Sequence, residues 1–305
     1  MGAQLRVYRR RIRSTKSMAK ITRAMELIAT TRITKAQRVM QAAEPYAREI
    51  TRAVSALAQR VSDHPLLMEA ENPTRAAVLV ISSDKGLAGP FTANAIKESE
   101  RLNTLLHNQG KEVVQYVVGR KGIAFNEFRK RPMERTWEGI TERPSYLDAK
   151  EIADALMERF TQDTETEGGV DEIHIVTTKF VSMLTQHAAS HRVLPLEVEE
   201  VEPKVLEAEQ GAQPLYDFEP SAEEALDQLL PQYVANRIYF SLLESAASQQ
   251  ASRRNAMKAA TDNAEELVQT LTRQANQARQ AEITNEISEI VGGADALAGA
   301  SAGSE

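Results

Sequence analysis

Cysteine is absent from the 305 residues, which removes disulfides, thiol nucleophiles and thiolate metal sites from consideration. No apolar run approaches the roughly 20 residues that cross a bilayer, so direct membrane insertion is not expected. Aromatic residues make up 5% of the chain, a low share that suits long helices rich in Ala, Arg, Glu and Gln. Acid is missing from the first 25 residues, which contain Arg6, Arg9, Arg10, Arg11, Arg13, Lys16, Lys20 and Arg23. A transit peptide, a nucleic-acid-binding arm and a solvated basic helix face share that composition. The helical pattern runs on without a cleavage-like break, only Tyr8 is available for stacking, and no DNA-reading motif follows. Nucleic acid is therefore not an expected partner.

What is present is a matched pair of terminal helices. Between residues 21 and 61, apolar or long-stemmed residues recur at alternating steps of four and three: Ile21, Met25, Ile28, Arg32, Lys35, Val39, Ala42 and Tyr46. Between 264 and 290 the rhythm returns in Leu267, Leu271, Ala275, Ala278, Glu282 or Ile283, Glu286 or Ile287, and Ile290. That period is the seam of a coiled coil, and two narrow stripes are most simply buried against each other. The pairing places positions near Ile28 and Leu271 within cross-linking reach. Charge is segregated as well. Residues 1–62 carry fourteen Lys and Arg against Glu26, Glu44 and Glu49, a net of +11, which leaves −17 on the other 243 residues. A basic rod beside an acidic globe points to a partner that presents carboxylates or phosphates.

The organisation reads as an N-terminal coiled-coil helix over 1–66, a central α/β domain over 76–205, a C-terminal coiled-coil helix over 219–293, and a disordered tail over 294–305. His64-Pro65 stops the first helix, because a residue before proline avoids the α region. Ala76 to Ile81 is a continuous branched apolar run, as expected of a strand buried on both faces. A helix from about Thr92 to Asn108 and a strand from Val113 to Val118 complete a βαβ unit. A helix over Ser145–Thr161, a strand from Val170 to Thr178 and a returning antiparallel strand from Gln186 to Leu196 follow. The acidic stretch 161–169 reads as a flexible surface loop, and 197–213 as acidic with an edge strand. Ser221 caps the long helix, Pro231 kinks or breaks it, and Gly292-Gly293 ends it. The fold class is α/β: a long antiparallel coiled coil of the two terminal helices plus a small Rossmann-like domain.

No credible catalytic constellation emerges. The loop after the first strand has Gly86 and Gly89 but neither dinucleotide nor P-loop spacing, so an ordinary turn is the better reading. His187 and His191 have metal-ligand spacing if helical, yet Ala188 stands where a zincin has glutamate, and a surface pair is the plainer account. Ser82, Ser83 and Asp84 lack the nucleophile-elbow pattern, and Asp171 and Glu172 look like solvated strand-edge residues. Two classes remain open on residues alone: a mechanical or bridging part, and an α/β nucleotide-binding enzyme with helical oligomerisation arms.

Lys20-Ile21-Thr22-Arg23-Ala24-Met25-Glu26-Leu27-Ile28-Ala29 resembles the N-terminal motif of γ subunits of F-type ATP synthases. Ile283-Thr284-Asn285-Glu286-Ile287-Ser288-Glu289-Ile290-Val291-Gly292-Gly293-Ala294 resembles that family's C-terminal signature. The segments at 257–264 and 82–89 resemble family segments too, in order. Three features depart from the pattern: Lys85 and Ala88 stand where arginine and cysteine are frequent, 161–169 resembles an actinobacterial insertion, and Pro231 lies inside the long helix.

The resemblance implies a central-stalk rotor subunit. Its helices would thread a hexamer of three α and three β subunits, with the foot on the membrane c-ring and the ε subunit beside it. Proton flow through the ring would turn the shaft, and the shaft would drive the β sites through their states. All nucleotide chemistry would lie on α and β, so no cofactor, metal or catalytic residue is expected here. The location would be peripheral, on the cytoplasmic side of the plasma membrane. Carried over by position, Lys20, Arg23 and Met25 would meet the β subunits, and Arg253, Gln280, Thr284 and Glu286 would bond to α and β loops. Phe218 and Glu219 would belong to the foot. Core packing is the competing reading for Met25, a helix-surface charge for Glu286, and an exposed turn for Phe218 and Glu219.

Overall fold

The apolar run at 76–81 forms the middle of a five-stranded sheet. The computed structural model describes residues 3–58, 61, 67, 69–164, 168–196 and 221–302. Strand β1 (Arg75–Ile81) is flanked in parallel by β2 (Glu112–Val118) and β4 (Glu172–Phe180). The short β3 (Arg135–Trp137) extends the sheet in parallel beyond β2, and β5 (Gln186–Leu194) closes the other side antiparallel to β4. The order is β3-β2-β1-β4-β5. Sequence reading misses β3, because three residues are too few for a periodicity. Helix α1 (Ala3–Ala58) precedes the sheet; α2 (Phe91–Asn108), α3 (Arg120–Phe128) and α4 (Tyr146–Phe160) connect its strands, and α5 (Ala222–Ala302) follows it. Ser145 opens α4 through a capping box with Asp148, which satisfies donors that a helix start leaves free.

Contacts divide the chain into two units. One comprises Ala29–Arg254, the other Met1–Ile28 with Asn255–Glu305. In the larger unit β1 is buried on both faces, as its sequence predicts. Ala77, Leu79 and Ile81 pack with Ile152 and Leu156 of α4, with Ile50, Val54 and Leu57 of α1, and with Leu226, Leu230, Val234 and Ile238 of α5. Ala76, Val78 and Val80 pack on the opposite face with Leu102 and Leu106 of α2. The last turns of α1, from Ile50, and the N-terminal third of α5 are thus part of the sheet's main core.

In the smaller unit the two helices follow the predicted period, with α5 in the expected phase at Leu271, Ala275 and Ala278 but α1 in a different one. Ile21 and Ile28 are exposed, and the buried line is Leu5, Thr22 and, in the other unit, Ala29 and Ile33, with Tyr8, Ile12, Thr15 and Ala19 half-buried along it. The error is one residue, or about 100° around the helix. Its cause is that the seam uses threonine and alanine, whose small side chains let the backbones approach, while larger apolar residues are displayed outside. On α5 the buried line is Met257, Thr261, Ala264, Leu271 and Ala275, with Val268 half-buried between them. Leu267, Ile283, Ile287 and Ile290 are exposed, against expectation.

Thr22 Oγ1 and Thr261 Oγ1 lie 2.7 Å apart. Each is six residues from the place where its helix enters this unit, so the helices run antiparallel. That register puts Leu271 opposite the region of Ile12, about 24 Å along the axis from Ile28, and corrects the expected cross-link. Cysteines at Thr22 and Thr261 should instead form a disulfide within one chain under mild oxidation, since the paired oxygens already lie near sulfur–sulfur range. The 28/271 pair should not. Non-reducing electrophoresis distinguishes the two outcomes.

The helix α5 is not broken at either of two places where the sequence suggests an interruption. Pro231 lies inside the helix. The lost hydrogen bond and ring clash cost about 3 kcal/mol, but Leu226, Leu230, Tyr233 and Val234 are all buried around it, and each contributes roughly 1.5–3 kcal/mol. Gly292 and Gly293 do not end the helix, which continues to Ala302 rather than giving way to a disordered tail. Neither adopts the left-handed conformation of a helix C-terminus, and the alanine-rich sequence after them favours the helix.

Candidate functional site

A phosphate would be sought at the C-terminal end of the central strand, where residues 82–90 form a loop. That space is filled by the loop's own side chains. Ser82 Oγ donates to the Val118 carbonyl at 2.8 Å and accepts from Gly122 N at 3.0 Å. A Cβ at Gly119 or Gly122 would come within 2.6 Å of that oxygen; these glycines seat α3 against the strand. Asp84 Oδ1 accepts from Arg120 N (3.2 Å) and Gly139 N (2.9 Å), and Oδ2 from Thr141 N (3.0 Å) and Thr141 Oγ1 (2.8 Å). Burial alone would raise the Asp84 pKa, but these donors hold it below the ordinary aspartate value. The N–H groups that could face an anion already hold a carboxylate.

The remaining candidates resolve similarly. His187 and His191 lie on β5, where four residues span about 13 Å, too far to share one ion. Among the described residues no group of His, Asp or Glu is arranged to hold a metal. Glu172 is buried rather than solvated, because β4 lies between β1 and β5. It accepts from Lys111 Nζ at 2.6 Å and contacts His174 Nε2 at 2.9 Å. Burial opposes its ionisation, but those partners bring its pKa down to about 2. Asp171 accepts from Thr74 N and Arg75 N and so pins the start of β1. Two open clefts of about 680 and 540 Å³ flank α2. Each is wide open to solvent, and ion pairs such as Glu100–Arg131 and Glu98–Arg101 lie in their linings.

Of the contact residues expected from the sequence, those that are exposed or half-buried lie on the helix pair of the smaller unit. Lys20 is exposed, Met25 is half-buried, and Arg23 lies 3.8 Å from Glu265 with both side chains more than half exposed. Val7, Met18, Ile21, Leu27 and Ile28 are all exposed on α1. On α5, Gln280, Thr284 and Glu286 are exposed, with Thr284 Oγ1 donating to the Gln280 carbonyl at 2.9 Å. Further along α5, Ile283, Ile287, Ile290 and Val291 are exposed. Phe218 and Glu219 lie outside the described residues.

Arg253 behaves differently. In the larger unit it is buried, donating to Glu142 at 3.1 Å and to Gln250 Oε1 at 2.9 Å. Glu142 also receives Arg32 at 3.1 Å and Lys85 at 2.6 Å. Burial would raise the Glu142 pKa, but the Lys85 hydrogen bond and the charges of Arg253, Lys85 and Arg32 hold it below the usual value.

The family described as ATP synthase matches residues 4–297. The ATP synthase gamma chain of Thermobifida fusca (strain YX) is 80% identical over 305 residues, covering 100% of both chains. The chain belongs to the ATP synthase gamma-chain family. Another gamma chain, from Acidothermus cellulolyticus, is 60% identical over 298 residues, covering 97% of this chain and 98% of that one. A chain of the Euglena gracilis mitochondrial ATP synthase (OSCP/F1/c-ring, rotational state 3) shares the fold at a TM-score of 0.65 and 16% identity, with 97% and 95% of the two chains covered. A chain of the Tetrahymena thermophila central stalk/c-ring structure shares it at 0.58 and 22%, covering 79% and 99%. Gamma-chain membership was legible in the terminal motifs. The clusters at Asp84 and Glu142 were not: Glu142 is an unremarked acid in a polar loop, and its three cations come from positions 32, 85 and 253.

Proposed function

We propose that this gamma chain is the non-catalytic central-stalk rotor of an F-type ATP synthase. It carries torque between a proton-driven c-ring and the catalytic sites of three α and three β subunits, with ε as a further partner. Its place is peripheral, on the cytoplasmic face of the membrane. The observation that carries the reading is the antiparallel helix pair, whose outer surface combines exposed apolar residues with a basic face. Isolated helices of that kind would be poorly soluble alone and suit a surrounding sleeve. The self-filled loop at 82–90 supports a mechanical role over nucleotide binding.

Lys20, Arg23 and Met25 are the residues assigned to β contacts, and Gln280, Thr284 and Glu286 to α and β loops; Phe218 and Glu219 are assigned to the foot. Exposed ion pairs contribute only about 0.2–1 kcal/mol each, and weak, replaceable contacts allow rotation where a deep pair would hold one angle. Arg253 is a brace inside the chain.

Co-expression with α, β and ε tests the reading. The chain should purify in one copy per three α and three β subunits. Recovery as a free protein, or tight stoichiometric ATP binding by the chain alone, would overturn it.

A further inference from the structure

Within the larger unit, α5 is buried on every side over 245–253, where small residues alternate with Gln249, Gln250 and Arg253. Ser245, Ala246, Ala247, Ser248, Ala251 and Ser252 are all buried. Small residues permit close approach, but they form shallow ridges and offer little resistance to sliding or rotation of the helix against its neighbours. Directional bonds fill that role. Thr177 Oγ1 donates to the Ser241 carbonyl at 3.1 Å, Ser248 Oγ to the Thr178 carbonyl at 2.9 Å, and Phe180 N to Glu244 Oε1 at 3.2 Å. Each of these ties α5 to β4. Glu142 joins more elements: its carboxylate takes Arg32 from α1, Arg253 from α5 and Lys85 from the loop after β1.

The support beneath Glu142 is rigid. Its neighbour Thr141 is bonded to Asp84 through backbone and hydroxyl, and Asp84 also holds Gly139 N and Arg120 N. Arg253 Nη2 also lies 3.4 Å from the Lys85 carbonyl. The carboxylate therefore stands on a knot built from the C-terminal ends of β1, β2 and β3. Arg32 and Arg253 are each within one helical turn of the residues at which α1 and α5 leave this unit.

We propose that Glu142 is a positioning residue for torque transfer: one carboxylate, clamped by three cations, fixes how α1 at Arg32 and α5 at Arg253 are seated on the sheet within the larger unit. The inference rests on the rotor reading. Without the clamp, α5 retains its apolar anchor at Leu226–Leu242 but is held less firmly at Arg253, and torque is carried through the larger unit with slack.

The test uses the assembled, membrane-reconstituted complex. Glu142→Gln keeps the side-chain shape and removes the charge. It should leave ATP hydrolysis near the wild-type rate while lowering protons pumped per ATP roughly threefold, and Glu142→Asp should restore part of the loss. A purely structural role would change complex yield or melting temperature and leave that ratio untouched. An unchanged ratio in an assembled Glu142→Gln complex overturns the clamp. If that variant does not assemble, Arg32→Gln, which releases α1 while leaving Lys85 and Arg253 on Glu142, must still lower the ratio, and an unchanged ratio there overturns it too. Failure of the wild-type chain to assemble with α and β would sink the rotor reading instead, which keeps the two outcomes apart.

Discussion

Asp84→Ala is expected to destabilise the larger unit by about 3 kcal/mol, because several donors lose their acceptor at about 1–3 kcal/mol each. Asp84 is 8% exposed and its carboxylate accepts four hydrogen bonds, three from backbone N–H groups of two separate segments. Deleting it leaves those donors buried with no acceptor and no room for bulk water, at a cost of about 1–3 kcal/mol per group. The loss is partly offset because a buried charge is removed as well. Asp84→Asn should be nearly as harmful, since its amide must turn an NH₂ toward one pair of donors. Lys85→Ala, one residue on, should cost about 1 kcal/mol or less, because its ammonium is mostly exposed and its ion pair is correspondingly weak. Trp137, the single tryptophan, ends β3 beside this knot and stacks near Tyr116 at a ring-centre distance of 6.3 Å. Its fluorescence during urea unfolding therefore reads this unit directly. A loss below 1 kcal/mol for Asp84→Ala would show that the loop is held by something other than its carboxylate.

The contrast between these two neighbouring residues also shows where sequence reading stops. The run at 76–81 declares a doubly buried strand because burial on both faces requires an unbroken apolar string, and the structure places it at the centre of the sheet. The helix period is legible for the same reason: one face buried, one residue in three or four. Phase is harder. Choosing the largest apolar residues selects Ile21 and Ile28, whereas the buried line passes through Thr22 and Ala29. A helix that also displays apolar residues to an outside partner carries two stripes, and size alone does not tell the inner from the outer. Pro231 and Gly292 mislead in the opposite direction, because a local penalty of 1–3 kcal/mol is visible in the sequence and the tertiary packing or flanking alanines that outweigh it are not. The Asp84 and Glu142 clusters have no local signature, since their partners lie 36 to 111 residues away.

Acid should unfold this unit in two steps, and His191 sets the first. Its ring sits on β5, opposite Ile175 of β4, with both nitrogens buried and neither hydrogen-bonded. Burial, reinforced by the charges of Arg237, Lys179 and His174, lowers its pKa from 6.5 to about 4. The unfolded chain thus binds a proton between pH 6.5 and about 4 that the folded chain refuses. Stability is fully present above pH 6.5 and falls as pH drops through that window, by about 1.4 kcal/mol per pH unit at most and about 3 kcal/mol in total. Glu172 acts in the next window. Its pKa is depressed from 4.5 to about 2, so its contribution is complete above pH 4.5 and is lost as pH falls toward 2. His191→Leu removes the first effect and keeps the second. Urea midpoints followed by Trp137 fluorescence should fall for the wild type between pH 6.5 and 4 while staying comparatively flat for His191→Leu, and both should fall together below pH 4.5. Parallel curves across the upper window would mean that the ring gains a proton-accepting partner on acidification, and that its buried nitrogens are reachable in the folded state.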